Sequence, residues 1–216
     1  MPSKGHRLLV ADYNQIELRV IAHLSNDPGL TTAFSNGDDI HATTAARIYD
    51  VDPGDVTVAQ RSKAKMVSYG LAYGMESYGL AQRLGIPVDE ASVILKAYFD
   101  AFPAVKAYMD DSVKEARDRG YTETLFGRRR PIPELSSPNF RIRQAGERQA
   151  MNAGIQGLAA AIFKVALVDL DKRLEQEGLE SRVVLQVNDE IILEGPKKEE
   201  KAAQAATLEA MRGAAQ

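Results

Sequence analysis

Two short apolar runs near opposite ends of the chain read as β-strands, and each closes on carboxylates. RLLVADYNQIELR ends its apolar part at Asp12, with Glu17 shortly behind, and SRVVLQVNDEIILE places Asp189 and Glu190 at a hairpin turn. Most of the stretch between them has helical periodicity, whereas 121–140 reads as short strands and loops, with Pro131, Pro133 and Pro138 preventing a helix. The pattern predicts an α+β fold that is mostly helical, with a small antiparallel sheet carrying the acids. Hard oxygen ligands at neighbouring strand ends suit magnesium, which prefers carboxylate and phosphate oxygens. Two such ions ~3.5–4 Å apart can clamp the attacking and leaving oxygens of a phosphoryl transfer. Acids at strand ends and turns are also common where no chemistry occurs.

Between the two runs lies QRSKAKMVSYGLAYGMESYGLAQRLG, from Gln60 to Gly85. On a helix, Arg61, Lys65, Tyr69 and Tyr73 fall along one side, while Ala64, Val67 and Leu71 fall on the other and should be buried. Cations suit a triphosphate and phenol rings suit a base or sugar, so the stripe can hold a nucleotide along its length. A solvated amphipathic helix would show the same spacing. Gly70 and Gly74 each weaken a helix by ~1 kcal/mol relative to Ala, which points to close approach of a ligand or another backbone.

Composition sets bounds. The chain has 216 residues, 44% of them hydrophobic, enough to bury a core, and no cysteine, so disulfides and thiolate metal sites are excluded. The start, MPSKGHRLLV, has no long apolar stretch, so no secretory signal is expected, and the lack of cysteine is compatible with a reducing cytoplasm. The most apolar stretch, from Gly157 to Leu170, is interrupted by Lys164 and Asp169 and reads as too short for a bilayer. Net charge is −3, but residues 1–55 hold eight acids and four Lys/Arg, whereas 121–150 hold six Arg and three Glu. An acidic metal-binding part and a basic phosphate-binding part suit a nucleic-acid enzyme. Strands are expected at 7–12, 181–187 and 190–194. Helices are expected at 15–25, 28–36, 39–50, 58–72, up to Leu84, 89–101 with Asp89 as N-cap, 103–119, 141–151, 155–177 ended by Gly178, and from Lys197.

DYNQIELR, R-x3-K-x3-Y-x3-YG and QVNDE resemble, in order and spacing, the three polymerase motifs of the bacterial DNA polymerase I family (family A). GDDIHATTAARIY, TLFGRRRPIPEL and ERQAMNAGIQG resemble its supporting blocks, so the similarity runs from about Arg7 to at least Glu194. The resemblance implies a palm from residues 1–40 and 120–216 that carries the small sheet, and helical fingers from 41–119. It implies that the thumb, the exonuclease domain and the last palm strand are absent, as in a fragment or a shortened gene product. The implied activity is template-directed DNA synthesis in replication or repair, on the nucleoid. Its partners would be primer–template DNA and deoxynucleoside triphosphates, its cofactor two Mg2+ ions with Mn2+ as substitute, and its state a monomer completed by a thumb.

Carried over residue by residue, the resemblance makes Asp12 and Asp189 the metal ligands, with the Tyr13 carbonyl as a third and Glu190 close behind. Glu17 resembles the acid that crowds a ribose 2′-hydroxyl. Arg61, Lys65 and His41 would meet the phosphates, Lys65 also protonating pyrophosphate, and Gln15, Tyr69 and Tyr73 would complete the nucleotide site. Arg148, Asn152, Gln156 and Asn188 would touch DNA near the primer end, and Arg128 and Arg129 its phosphates. Asn14 and Asn188 stand where the family has Ser and His. Gly154, Leu158 and Ala161 stand where it usually has Pro, a hydroxyl residue and Asp, which strips polarity and rigidity from that helix. Two other readings use the same acids: a metal-dependent nuclease or phosphohydrolase, which does not need the cation–phenol stripe, and a catalytically impaired DNA- or nucleotide-binding fragment.

Overall fold

The computed structural model describes residues 1–215 and divides into two compact units, 1–16 with 158–216, and 17–157. In the first, β1 (His6–Asp12) pairs antiparallel with β5 (Glu190–Pro196), and β5 with β4 (Arg182–Val187), giving the order β1-β5-β4. The register sets Leu9 across from Leu193, Ala11 from Ile191, and Asp12 from Glu190. Strand side chains alternate faces, so Ile191 and Leu193 are buried while Leu8, Val10 and Asp12 occupy the exposed face. A shift of register between Val183 and Leu185 puts a bulge in β4. Helix α9 (Glu200–Gly213) packs on β1 and β5, following a short 3-10 turn at Lys197–Glu199.

The second unit is helical: α1 (Ile16–Ser25), α2 (Pro28–Asn36), α3 (Ile40–Tyr49), α4 (Val58–Ala72), α5 (Ser77–Leu84), α6 (Val88–Ala101) and α7 (Pro103–Arg119), then the hairpin β2 (Tyr121–Glu123) and β3 (Arg129–Pro131). Asp27 caps α2 from its N-terminus, and Gly37 ends it in the left-handed conformation. Helix α3 packs on α4 and α6, and Val67, Tyr98, Phe102 and Val105 are almost fully buried among these helices.

Three expectations are corrected. Asp89 does not cap α6; that helix starts at Val88 after Pro87, and Asp89 lies in its first turn, where a carboxylate meets the positive end of the helix dipole. The two helices expected at 141–151 and 155–177 are one, α8 (Phe140–Gln176), of 37 residues. Its glycines are packing surfaces: a Cβ at Gly157 would meet the Thr124 methyl at 2.7 Å, and one at Gly146 would meet Glu134 at 2.9 Å. As one continuous helix it is long and apolar enough, by length and composition alone, to cross a membrane; Ile155, Ala166 and Leu170 on it are nevertheless fully buried within the protein. Gly178 does end it, at φ 67°, with its N–H and that of Leu179 bonded back to Glu175 and Leu174.

Helix α4 starts with a reciprocal cap. The Thr57 hydroxyl accepts from Gln60 N–H at 3.2 Å, and the Gln60 side chain accepts from Thr57 N–H at 2.9 Å. Thr57→Ala removes one half of that box. It should cost ~1 kcal/mol in urea-induced unfolding, with an unchanged denaturant slope.

Candidate active site

The acids meet as the strand register dictates. Asp12 is the last residue of β1 and faces Glu190, the first of β5, while Asp189 sits in the two-residue turn from β4. The Tyr13 N–H donates to the Asp189 carbonyl at 3.3 Å, which ties the end of β1 to that turn. The Tyr13 ring is anchored from behind, its hydroxyl donating to the Met211 carbonyl at 2.6 Å and its edge toward Phe163. Burial pushes the Tyr13 hydroxyl up to about 12, so it stays a neutral donor. Asn188 at φ 52° and Gln15 at φ 60° hold left-handed backbone on either side of the acids. Non-glycine residues adopt this conformation at a cost, and Asn at the lowest, which accounts for an Asn beside Asp189.

The Asp12 carboxyl is raised above its ordinary value, first by loss of water and then by the negative charges of Asp189 and Glu190. Asp189 and Glu190 thus both repel Asp12, an arrangement a divalent cation would relieve. Among the described residues, no group of three or more His, Asp or Glu side chains closes into a cage. Magnesium accepts one or two carboxylates when substrate phosphates and water supply the remaining oxygens.

Helix α4 presents the expected stripe. Arg61, Lys65 and Tyr73 are exposed and Tyr69 is half-buried, while Ala64, Val67 and Leu71 are buried behind them. Lys65 Nζ lies 5.9 Å from the Tyr69 ring centre, and the His41 ring lies 5.8 Å from it. The Tyr73 hydroxyl donates to Glu17 at 3.1 Å, joining two of the expected nucleotide residues. His41 is buried near the start of α3, and its pKa is lowered, first by burial. The sequence had given no sign of the partner of Arg61. Its Nε donates to Asp39 Oδ2 at 2.7 Å, while Asp39 Oδ1 accepts from the N–H groups of His41 and Ala42 at 3.0 and 3.1 Å. Burial pushes the Asp39 carboxyl up, but the bonds from Arg61, Ala42 and His41 outweigh it and hold it below its ordinary value. Only the capping half of this role is legible in sequence, as an acid one residue before a helix, a standard cap pattern.

Helix α8 and the hairpin carry the remaining candidates. Gly74, at φ 73°, lies so close to Asn152 that any side chain there would collide with its amide nitrogen. Asn152 is buried, and its Oδ1 has no hydrogen-bond partner among the described residues. Arg148 pairs with Glu76 at 3.6 Å. Gln156 is half-buried on the same helix. The Tyr108 hydroxyl fills the space above Gly154, 2.6 Å from where a Cβ would stand. In the hairpin, Arg129 is bonded to Glu123 at 2.9 Å and stacked on Tyr121, Arg130 reaches Gln149 at 3.1 Å, and the N–H of Arg128, just before β3, donates to the Thr124 hydroxyl at 3.2 Å.

A family model described as DNA polymerase family A matches residues 1–216. DNA polymerase I of Streptococcus pneumoniae serotype 4 (strain ATCC BAA-334 / TIGR4) is 51% identical over 193 residues, covering 89% of this chain and 22% of that protein. DNA polymerase I of Bacillus subtilis (strain 168) is 50% identical over 196 residues, covering 91% and 22%. Among solved structures, the POL domain of Pol1 from M. smegmatis, in complex with DNA primer-template and dNTP, matches with a TM-score of 0.93 at 46% identity, over 99% of this chain and 38% of that one. The chain spans under a quarter of the length of these curated relatives, at 22% in each case.

The carboxylate cluster makes a stability test. The folded state holds the Asp12 proton more tightly than the unfolded chain does, so ionised Asp12 costs stability above its folded-state pKa, and the cost fades as pH falls through that pKa. In chelator at neutral pH, Asp12→Asn should raise the melting temperature. Its advantage over wild type should shrink as the pH is lowered into the carboxylate range, as followed by circular dichroism.

Proposed function

Because this chain belongs to the family A DNA polymerases, we propose that it is the palm and fingers portion of an enzyme for template-directed DNA synthesis. The palm is assigned to 1–40 and 120–216 and the fingers to 41–119. The reaction adds a deoxynucleoside monophosphate to a primer 3′-hydroxyl and releases pyrophosphate. Primer–template DNA and a dNTP, the ligands named for the solved M. smegmatis relative, are its substrates. The observation that carries this reading is the α4 stripe, with cations and phenols in line and an apolar back buried, because a simple hydrolase has no use for it.

Asp12, Asp189 and the Tyr13 carbonyl are the proposed ligands of two Mg2+ ions, for which Mn2+ substitutes, with Glu190 supporting them. When bound, the ions polarise the phosphate and favour the ionised 3′-hydroxyl. Arg61 grips phosphate oxygens with its planar fork, and Lys65 meets them as a point charge that can hand a proton to the leaving pyrophosphate. His41 adds a further phosphate contact. Tyr69 packs under the incoming sugar and base, with Gln15 beside the site, and Tyr73 stacks at the templating position. Glu17, held by the Tyr73 hydroxyl, crowds a ribose 2′-hydroxyl and so favours deoxynucleotides. Arg148, Asn152, Gln156 and Asn188 sense the primer-end minor groove, where acceptor positions report pair geometry and not sequence. The unpaired Asn152 Oδ1 suits such a role. Arg128 and Arg129 bind backbone phosphates. The proposed setting is the bacterial cytoplasm, as a monomer.

Primer extension with purified protein separates the readings: elongation supports the polymerase, shortening a nuclease, and binding alone an impaired fragment. Asp12→Ala or Asp189→Ala should lower magnesium-dependent nucleotide addition by at least ~10³-fold, since each removes several kcal/mol of charge stabilisation, while the fold persists. Extension at the wild-type rate by either variant would remove the metal assignment. At position 69, a phenol can replace the hydrogen bonding that a dideoxynucleotide lacks, and a phenyl ring cannot. Tyr69→Phe should therefore raise discrimination against dideoxynucleotides about tenfold, because an unmet polar group costs ~1–3 kcal/mol. The ratio of single-nucleotide incorporation efficiencies measures it.

A further inference from the structure

We infer that Asp39 is a positioning residue which uses its two carboxylate oxygens to set both His41 and Arg61 for the triphosphate. This rests on the phosphate-binding role proposed for those two side chains. Oδ1 accepts from the His41 and Ala42 N–H groups and so fixes the first turn of α3, the turn that carries His41. Oδ2 accepts from Arg61 Nε and so fixes the guanidinium of a residue in the second turn of α4. One carboxylate therefore braces the two helices that supply the two side chains. The side-on grip matters: engaging Nε sets the plane of the guanidinium and leaves its terminal nitrogens to meet phosphate as a fork.

Stability does not explain the pair. Both side chains are about half exposed, at 46% and 45%, and exposed ion pairs of this kind add little to folding. Its effect lies in orientation. An arginine side chain carries much rotamer freedom, and freedom removed before binding need not be lost on binding. Asp39 also brings a negative charge close to where phosphates would sit, a cost that Arg61 and two helix N–H groups offset directly.

The test uses variants that keep the cap and lose the brace. Ser and Asn both cap helices well, so Asp39→Ser and Asp39→Asn should preserve α3, but with their one oxygen on the cap neither offers Arg61 a charged acceptor. Binding of a magnesium–dNTP and of the matching nucleoside monophosphate to the 216-residue chain is measured by calorimetry, with melting temperatures alongside. Asp39→Ser and Asp39→Asn should each weaken dNTP binding about fivefold, in the range of an oriented exposed ion pair, with monophosphate binding and melting temperature unchanged. In an Arg61→Ala background Asp39→Ser should cause no further loss, because the two residues act as one unit. Unchanged or tighter dNTP binding by the single variants, or a full additional loss in the double variant, would overturn the assignment. A wild-type chain that binds triphosphate no better than monophosphate would instead defeat the phosphate-site reading on which the assignment depends.

Discussion

The pairing of β1 with β5 is the constraint on which the acidic site depends. These strands come from nearly opposite ends of the chain, so their contact forms only after a very long loop has closed. Closure entropy grows slowly with length, but it has to be met before any pairing is gained. What offsets it is the buried face: Ile191 and Leu193 lie across from Ala11 and Leu9 and are almost wholly removed from water. The same alternation decides where the acids point. A slip of one residue would bury Asp12 and expose Leu9 and Ala11, so the apolar register also fixes the carboxylate register.

That coupling explains what could be read from sequence. The strands, the carboxylate placement and the polarity of α4 follow from period-two and period-3.6 patterns, and the burial of Ala64, Val67 and Leu71 against the exposure of Arg61 and Lys65 bears this out. The errors fell where local composition carries an ambiguous message. The break expected between 151 and 155 does not occur, and only the third dimension shows Gly154 there as a seat for the Tyr108 hydroxyl. Asp89 looks like a cap, but Pro87 preorganises the chain one step earlier. The link from Asp39 to Arg61 joins residues on separate helices, and no periodicity reports such a contact.

The carboxylates divide by how their charge is met, and this division separates scaffold from site. Asp27 is almost fully buried, yet its oxygens accept from the N–H groups of Gly29, Leu30 and Ala104 at 2.9 to 3.3 Å, so it joins the starts of α2 and α7. Asp39 likewise has both oxygens occupied, by helix N–H groups and a guanidinium. Both acids satisfy orphan helix donors, Asp27 wholly within the scaffold and Asp39 while also holding Arg61.

Asp12 is the opposite case. It lies across from Glu190 and near Asp189, and like charges directly opposed in a sheet weaken the pairing that brings them together. Nothing in the strand chemistry calls for such an arrangement, since threonine or asparagine would pair there without repulsion. The sheet is therefore less stable at that end than its backbone bonding permits. Protonation of Asp12 or an arriving cation would recover that deficit. Asp189 and Glu190 both repel Asp12, while Asp27 and Asp39 are met by the chain's own N–H groups and a guanidinium, and this contrast is what supports proposing a cation beside Asp12.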